Sequence, residues 1–254
     1  MRATMFLFAS VLVISGPARA QPPSPQAPAS LAEAERGGGE WREYASVQDG
    51  FTINFPGQPT ITETTWTSQL DYRLPGRVYS VSRGSERYSV TVIDYRPIEE
   101  QGVARAKTCP SGNAQCRTDA GIMGPGYWKH DVRGAIMYAT FRLLQRGSRP
   151  TNLAWEWQDM VEGNLLQLTN ADRSRTFAYV AMHEHQLYIV EGTVPEGSPE
   201  PGLFQQSLGW LSQEGNPIVY DEILYSNAYH GLGVYPRPSY SRLDTGGDAG
   251  DPAR

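Results

Sequence analysis

From Phe51 to Val194 the sequence keeps returning to a period of two, and that repeat commits most of the chain to half-buried strands. Phe51, Ile53 and Phe55 alternate with Thr52 and Asn54 until Pro56-Gly57 ends the run. Residues 61–66 form a second, weaker strand pattern. Residues 77–83 and 87–95 flank Gly84-Ser85-Glu86, where the glycine supplies the dihedral that a hairpin loop requires. In the later run Tyr88, Val90 and Val92 point one way while Ser89 and Thr91 point the other, so a sheet covered on one face is expected.

The second half follows the same logic. Residues 135–144, 153–161, 165–169, 176–182 and 187–194 are apolar or alternating and read as strands. Turn chemistry at 147–150, 162–164, 170–172 and 183–186 separates them, and each linker suits antiparallel neighbours but is too short for a parallel crossover. Two segments read as helices. Residues 98–107 open with Glu99 and Glu100 and close with Arg105 and Lys107, which suits the helix dipole, although Gly102 weakens the pattern. In residues 198–212, Ser198 offers an N-cap, Pro199 suits the first turn, and Phe204, Ser207, Leu208 and Leu211 share a stripe. Many short-linked strands with few helices predict a single α+β domain over residues 41–214, a twisted antiparallel sheet with a few flanking helices.

The ends carry different information. In residues 1–20, Arg2 precedes an apolar run from Met5 to Ile14, and Ala18-Arg19-Ala20 supplies small residues at −3 and −1, so a signal peptide cleaved after Ala20 is expected. The run is short for a membrane anchor, which needs about 20 apolar residues, and no later window is expected to span a membrane. A periplasmic or secreted location follows. Residues 21–40, with four prolines and three consecutive glycines, read as a disordered leader. Residues 215–254 read as a Tyr-rich extension, disordered at its end.

Charge and cysteine content narrow the function classes. The formal charge of −5 becomes −7 once Arg2 and Arg19 leave with the signal peptide, giving 20 basic against 27 acidic residues. Basic residues scattered among acids oppose nucleic-acid binding. Cys109 and Cys116 lie in T-C-P-S-G-N-A-Q-C, and an exported chain with one such pair predicts a disulfide. A redox pair and a zinc site are the alternatives. The first lacks C-x-x-C spacing, and the second lacks further ligands.

The opening GFTINFPGQP (residues 50–59), then RTFAYV (175–180), a turn, QLYIVEGTVPE (186–196) and the expected helix after it, resemble the PsbP/Mog1-like superfamily, in particular exported bacterial members. Over residues 47–213 the resemblance implies an antiparallel sheet flanked by helices. It also implies an accessory or assembly role, and it brings no active-site residues with it.

No residue constellation for catalysis stands out. His183-Glu184-His185 places two imidazoles on alternate positions but at an expected turn, with no third ligand, so no metal and no cofactor are expected. G-x-S-x-G and S-x-x-K patterns are missing from the sequence. Trp155 and Trp157 share a strand face with Leu153, as core packing or alternatively as a platform for a ligand. Tyr220, Tyr225, Tyr229, Tyr235 and Tyr240 offer large area with a polar tip, suited either to an interface or to packing back on the domain. The leading expectation is a non-enzymatic exported accessory protein that binds a protein partner or envelope component. A carrier of a small hydrophobic ligand and a metal-dependent hydrolase are the alternatives.

Overall fold

Most of the alternating segments pair with their sequence neighbours, as their short turns require. The computed structural model describes residues 40–113, 116 and 121–224. The expected signal peptide and all of the leader except Glu40 lie outside the described residues. The first strands are β1 (Arg42–Ser46), β2 (Phe51–Phe55), β3 (Thr60–Thr67), β4 (Arg73–Arg83) and β5 (Glu86–Asp94). Helices α1 (Ile98–Lys107) and α2 (Trp128–Leu144) follow, then β6 (Arg149–Gln158), β7 (Val161–Thr169), β8 (Arg175–His183) and β9 (Gln186–Val194). The described chain closes with α3 (Gly202–Gln205), β10 (Gly209–Leu211) and β11 (Pro217–Ile218).

Seven strands form one sheet in the order β3-β4-β5-β9-β8-β7-β6, antiparallel throughout. A second sheet has the order β1-β2-β10-β11. The sequence predicts one sheet covered on one face, and here it is corrected: both faces of the large sheet are covered. On one face Tyr79, Tyr88, Val90, Tyr179, Tyr188 and Val190 meet Phe51, Ile53, Phe55 and Trp210 of the small sheet. On the other, Leu74, Ile93, Leu166, Val180 and Ile189 meet Ile98 of α1 and Val132, Ala135, Ala139 and Leu143 of α2. Central strands β8 and β9 are therefore buried on both sides, which explains their nearly continuous apolar run. The α+β class holds, with the layers ordered sheet, sheet, helices.

Three local expectations change. Residues 135–144 belong to α2 rather than to a strand. Its buried stripe of Trp128, Asp131, Val132, Ala135, Ala139, Thr140 and Leu143 keeps helical spacing but consists largely of small or polar residues. The buried carboxylate of Asp131 accepts hydrogen bonds from Ser68 Oγ and from the Leu70 amide (3.0 Å), which ties α2 to the β3–β4 turn. Second, the helix expected over 198–212 is one turn long. Gly209 and Trp210 instead pair with Thr52 and Phe51, because that pairing buries the Trp210 indole between the sheets. Third, the turn expected at 162–164 lies at Asp159 and Met160, both at positive φ, and Gly163 sits inside β7. There a side chain would collide with the Val180 carbonyl and the Tyr179 ring.

Helix α1 occupies the predicted residues. Gly102, which weakens its pattern, lies where a Cβ would come within 2.7 Å of the Trp128 indole, so the glycine is the contact point between α1 and α2. The fold also continues past residue 214. β11 pairs with β10, and Ile218, Tyr220 and Leu224 are buried in the core between the sheets.

Candidate functional site

β6 is an edge strand, and its burial alternates against the usual rule. The residues facing the helix layer, Leu153, Trp155 and Trp157, are 53, 50 and 42% exposed. Their face is fixed by register. Leu153 stands opposite Leu166, which packs under α2, and Trp155 stands opposite Asn164. Asn164 Nδ2 donates to Thr140 Oγ1 (3.0 Å) and reaches Met137 Sδ (3.6 Å), both on α2. Met137 and Phe141, one turn apart on that flank of the helix, are 65 and 53% exposed. Register thus puts exposed Met137 and Phe141 of α2 and exposed Trp155 and Trp157 of β6 on the helix side of the sheet, with Glu162 and Asn164 of β7 between the two elements. This apolar strip is the groove between α2 and β6.

The groove is ordered. The indoles of Trp155 and Trp157 lie 5.2 Å apart, centroid to centroid, at 51°. Trp155 Nε1 donates to Glu162 Oε2 at 2.9 Å, which holds one ring at a fixed angle to the sheet. The core-packing alternative for the two tryptophans is thus corrected. At 50 and 42% exposed, both side chains lie outside the two buried clusters. Met137 and Phe141 went unrecognised in the sequence because residues 135–144 alternate like a strand. Placed on a helix, they fall outside the stripe that Ala135, Ala139 and Leu143 bury.

The other sequence candidates are dispersed. Cys109 and Cys116 are joined, with Cα atoms 6.1 Å apart, in the α1–α2 connection. Tyr220 points inward and is hydrogen-bonded through its OH to His183 Nε2 at 2.7 Å. Tyr225, Tyr229, Tyr235 and Tyr240 lie outside the described residues. His183 and His185 differ in environment, because Glu184 and His185 form the β8–β9 turn at positive φ while His183 is stacked on Trp210 in the core. Burial lowers the pKa of both imidazoles, that of His183 to about 3. Among the described residues, no three His, Cys, Asp or Glu side chains come together to hold a metal ion. No described helix is long and apolar enough to cross a membrane.

Two open clefts are polar. One, of about 350 Å³, lies at the β8–β9 turn and is lined by Arg96, Glu184, His185, Gln186 and Ser212 among others. Beneath it Asp49, fully buried, forms a bidentate pair with Arg77 and accepts from Tyr79 OH at 2.5 Å. The other cleft, of about 630 Å³, is bordered by Arg87, Arg146, Ser148, Asn170 and Asp172. Its cations are partly neutralised, since Arg146 pairs with Glu191. Trp157 borders a third opening, of about 400 Å³, whose remaining walls include Glu156, Gln158, Asp159 and Glu200.

No family model matches the chain, and no curated protein matches it either. Among solved structures, the chain is similar to the solution structure of cyanobacterial PsbP (CyanoP) from Synechocystis sp. PCC 6803. Identity is 15%, coverage is 62% of this chain and 82% of that one, and the TM-score is 0.33. Similarity at that level carries no argument about function.

Proposed function

We propose that this protein is an exported, non-enzymatic accessory protein that holds an extended apolar segment of an envelope protein in the groove between α2 and β6. The observation that carries the reading is the grouping of Met137, Phe141, Leu153, Trp155 and Trp157 on one side of the molecule. Contiguous exposed apolar surface of this kind marks an interaction site. Aromatic residues and methionine are also the types enriched at interface cores. An extended segment suits the place, because β6 is a ten-residue edge strand. Export is supported by the pattern of residues 1–20 and by the Cys109–Cys116 pair.

Binding is favoured over catalysis because the buried titratable groups are already engaged in structural contacts. His183 is held by Tyr220 and Trp210, Asp49 by Arg77 and Tyr79, and Asp131 by Ser68 and Leu70. A carrier of a small hydrophobic ligand draws less support, since the opening beside Trp157 has mostly polar walls.

The test compares the whole chain with its Trp155→Ala/Trp157→Ala variant as bait in an envelope extract. A partner retained by the first and lost by the second, with both proteins melting within about 2 °C, supports the reading. Equal recovery by both, or turnover of a substrate in a hydrolase panel, overturns it.

A further inference from the structure

The apolar strip on the helix side of β6 has an acidic counterpart on the other side of the same strand. Trp155 and Trp157 face the helices, so Glu156 and Gln158, which alternate with them, face the small sheet. Register agrees, because Gln158 stands opposite Val161, which packs between the sheets. There the two residues line an opening of about 400 Å³ together with Asp159 of the β6–β7 turn, Glu200, and Gln205 of α3.

Two independent features of this opening point to a ligand. It is walled by three carboxylates, Glu156, Asp159 and Glu200, with no Lys or Arg beside them, and among the described residues none of the three forms an ion pair. Its amides are also unsatisfied. Gln205 is 7% exposed, yet its Nε2 donor has no hydrogen-bond partner among the described residues, and the buried Oε1 acceptor of Gln158 has none either. Buried donors and acceptors are costly to leave unpaired, so this pair marks a place for a group that carries both. A peptide unit does, with a carbonyl for Gln205 and an N–H for Gln158.

The edge strand sets how such a peptide would lie. The bulge between Pro150 and Asn152, and the proline itself, close the start of β6 to further pairing and leave residues 153–158 as the available length. A strand laid along them sends alternate side chains to the two faces, one set over Trp155 and Trp157 and the residue opposite Glu156 toward the carboxylates.

We propose that the segment held at β6 carries a lysine or arginine between two apolar residues, the apolar pair on the tryptophan side and the cation in the opening formed by Glu156, Asp159 and Glu200. This inference rests on the groove reading above and specifies the chemistry of its partner. The charges fix register as well as identity, because a slip of one residue would carry the cation to the indoles and the apolar groups to the carboxylates.

The experiment measures binding to the full chain of three synthetic peptides that alternate leucine with threonine and carry lysine, glutamine or glutamate at the central threonine position. The lysine peptide should bind about tenfold tighter than the glutamine one, the glutamate peptide should be weakest, and the preference should shrink as salt is raised. In the Glu156→Gln/Asp159→Asn/Glu200→Gln variant, the lysine peptide should bind no better than the glutamine peptide. Asparagine tolerates the positive φ at 159, so the turn is kept. A second variant, Glu156→Lys, should prefer the glutamate peptide, a gain that misfolding could not produce. Equal binding of the lysine and glutamine peptides to the unaltered chain overturns the inference and leaves the groove reading standing. A lysine preference that persists in the triple variant overturns it too. So does calcium binding to the unaltered chain with no preference for lysine, which assigns the opening to a metal ion. No binding by any peptide at millimolar concentration also overturns it, while the extract comparison decides the groove reading separately.

Discussion

The imidazole of His183 is hydrogen-bonded to Tyr220, Nε2 to OH at 2.7 Å, while its ring lies stacked on Trp210 with centroids 4.4 Å apart. Tyr220 comes from the chain just after β11, so this contact ties the C-terminal end of the described fold to the central strand β8. Fully enclosed, the ring has no water to solvate a positive charge, and it is neutral in the native protein.

Burial lowers the His183 pKa from 6.5 to about 3. Between those values the unfolded chain binds a proton that the native protein does not, so stability rises with pH through this window and is lost on acidification. The loss at pH 5 is expected to be about 2 kcal/mol relative to pH 7. His183→Phe removes the titration, and its melting temperature should fall less steeply from pH 6.5 to 4 than that of the unaltered chain. Parallel slopes for the two proteins would falsify the assignment.

Arg77 and Asp49 call for a different experiment. The Asp49 carboxylate is buried and paired with the Arg77 guanidinium, with Tyr79 OH as a third partner. Arg77→Met strands a buried charge and should cost about 3–5 kcal/mol in urea denaturation. Adding Asp49→Asn removes that charge and should recover part of the loss. If the double variant is less stable than the sum of the two single ones, charge desolvation is not the cause.

Two glycines separate close packing from backbone conformation. At Gly163 a methyl group would strike the Val180 carbonyl and come within 2.7 Å of the Tyr179 ring, inside β7. Gly84, at φ +60° in the β4–β5 turn, has nothing within 4 Å of the same position. Gly163→Ala is expected to cost about 3 kcal/mol through overpacking. Gly84→Ala should cost about 1 kcal/mol, from left-handed backbone strain alone. Thermal melts of the two variants decide the matter, and equal shifts would count against the steric account.

The strands were legible in the sequence because alternation is a local signal. Residues 51–55 and 98–107 match the observed β2 and α1 to the residue. α2 was not legible, because its buried stripe mixes Trp128, Val132 and Leu143 with two alanines, Asp131 and Thr140, while the large apolar Met137 and Phe141 between them face outward. The β6–β7 turn was missed for a related reason. Asp159 and Met160 adopt positive φ without a glycine or asparagine to announce it, and Gly163-Asn164 nearby has the composition of a turn but pairs within the sheet. The small sheet depends on contacts between Phe51 and Trp210, which are far apart in sequence and invisible to any local pattern. The groove inherits these misses. Its tryptophans were noticed, but their exposure depends on the packing of the helix layer.

The Cys109–Cys116 bridge closes a short loop at the C-terminal end of α1. Neither cysteine belongs to the buried clusters, so the bond acts mainly by restricting the unfolded chain. For a loop of this length the stabilisation is about 2.5 kcal/mol at most. Cys109→Ser/Cys116→Ser should therefore lower the denaturation midpoint and slightly raise the dependence on denaturant, because the unfolded state becomes more expanded. The near-UV circular dichroism of the native state, dominated by tryptophans and tyrosines packed elsewhere, should stay as it was. A variant that keeps its secondary structure but loses that near-UV signal would show instead that the bridge organises the α1–α2 layer. The groove wall formed by Met137 and Phe141 would then depend on it.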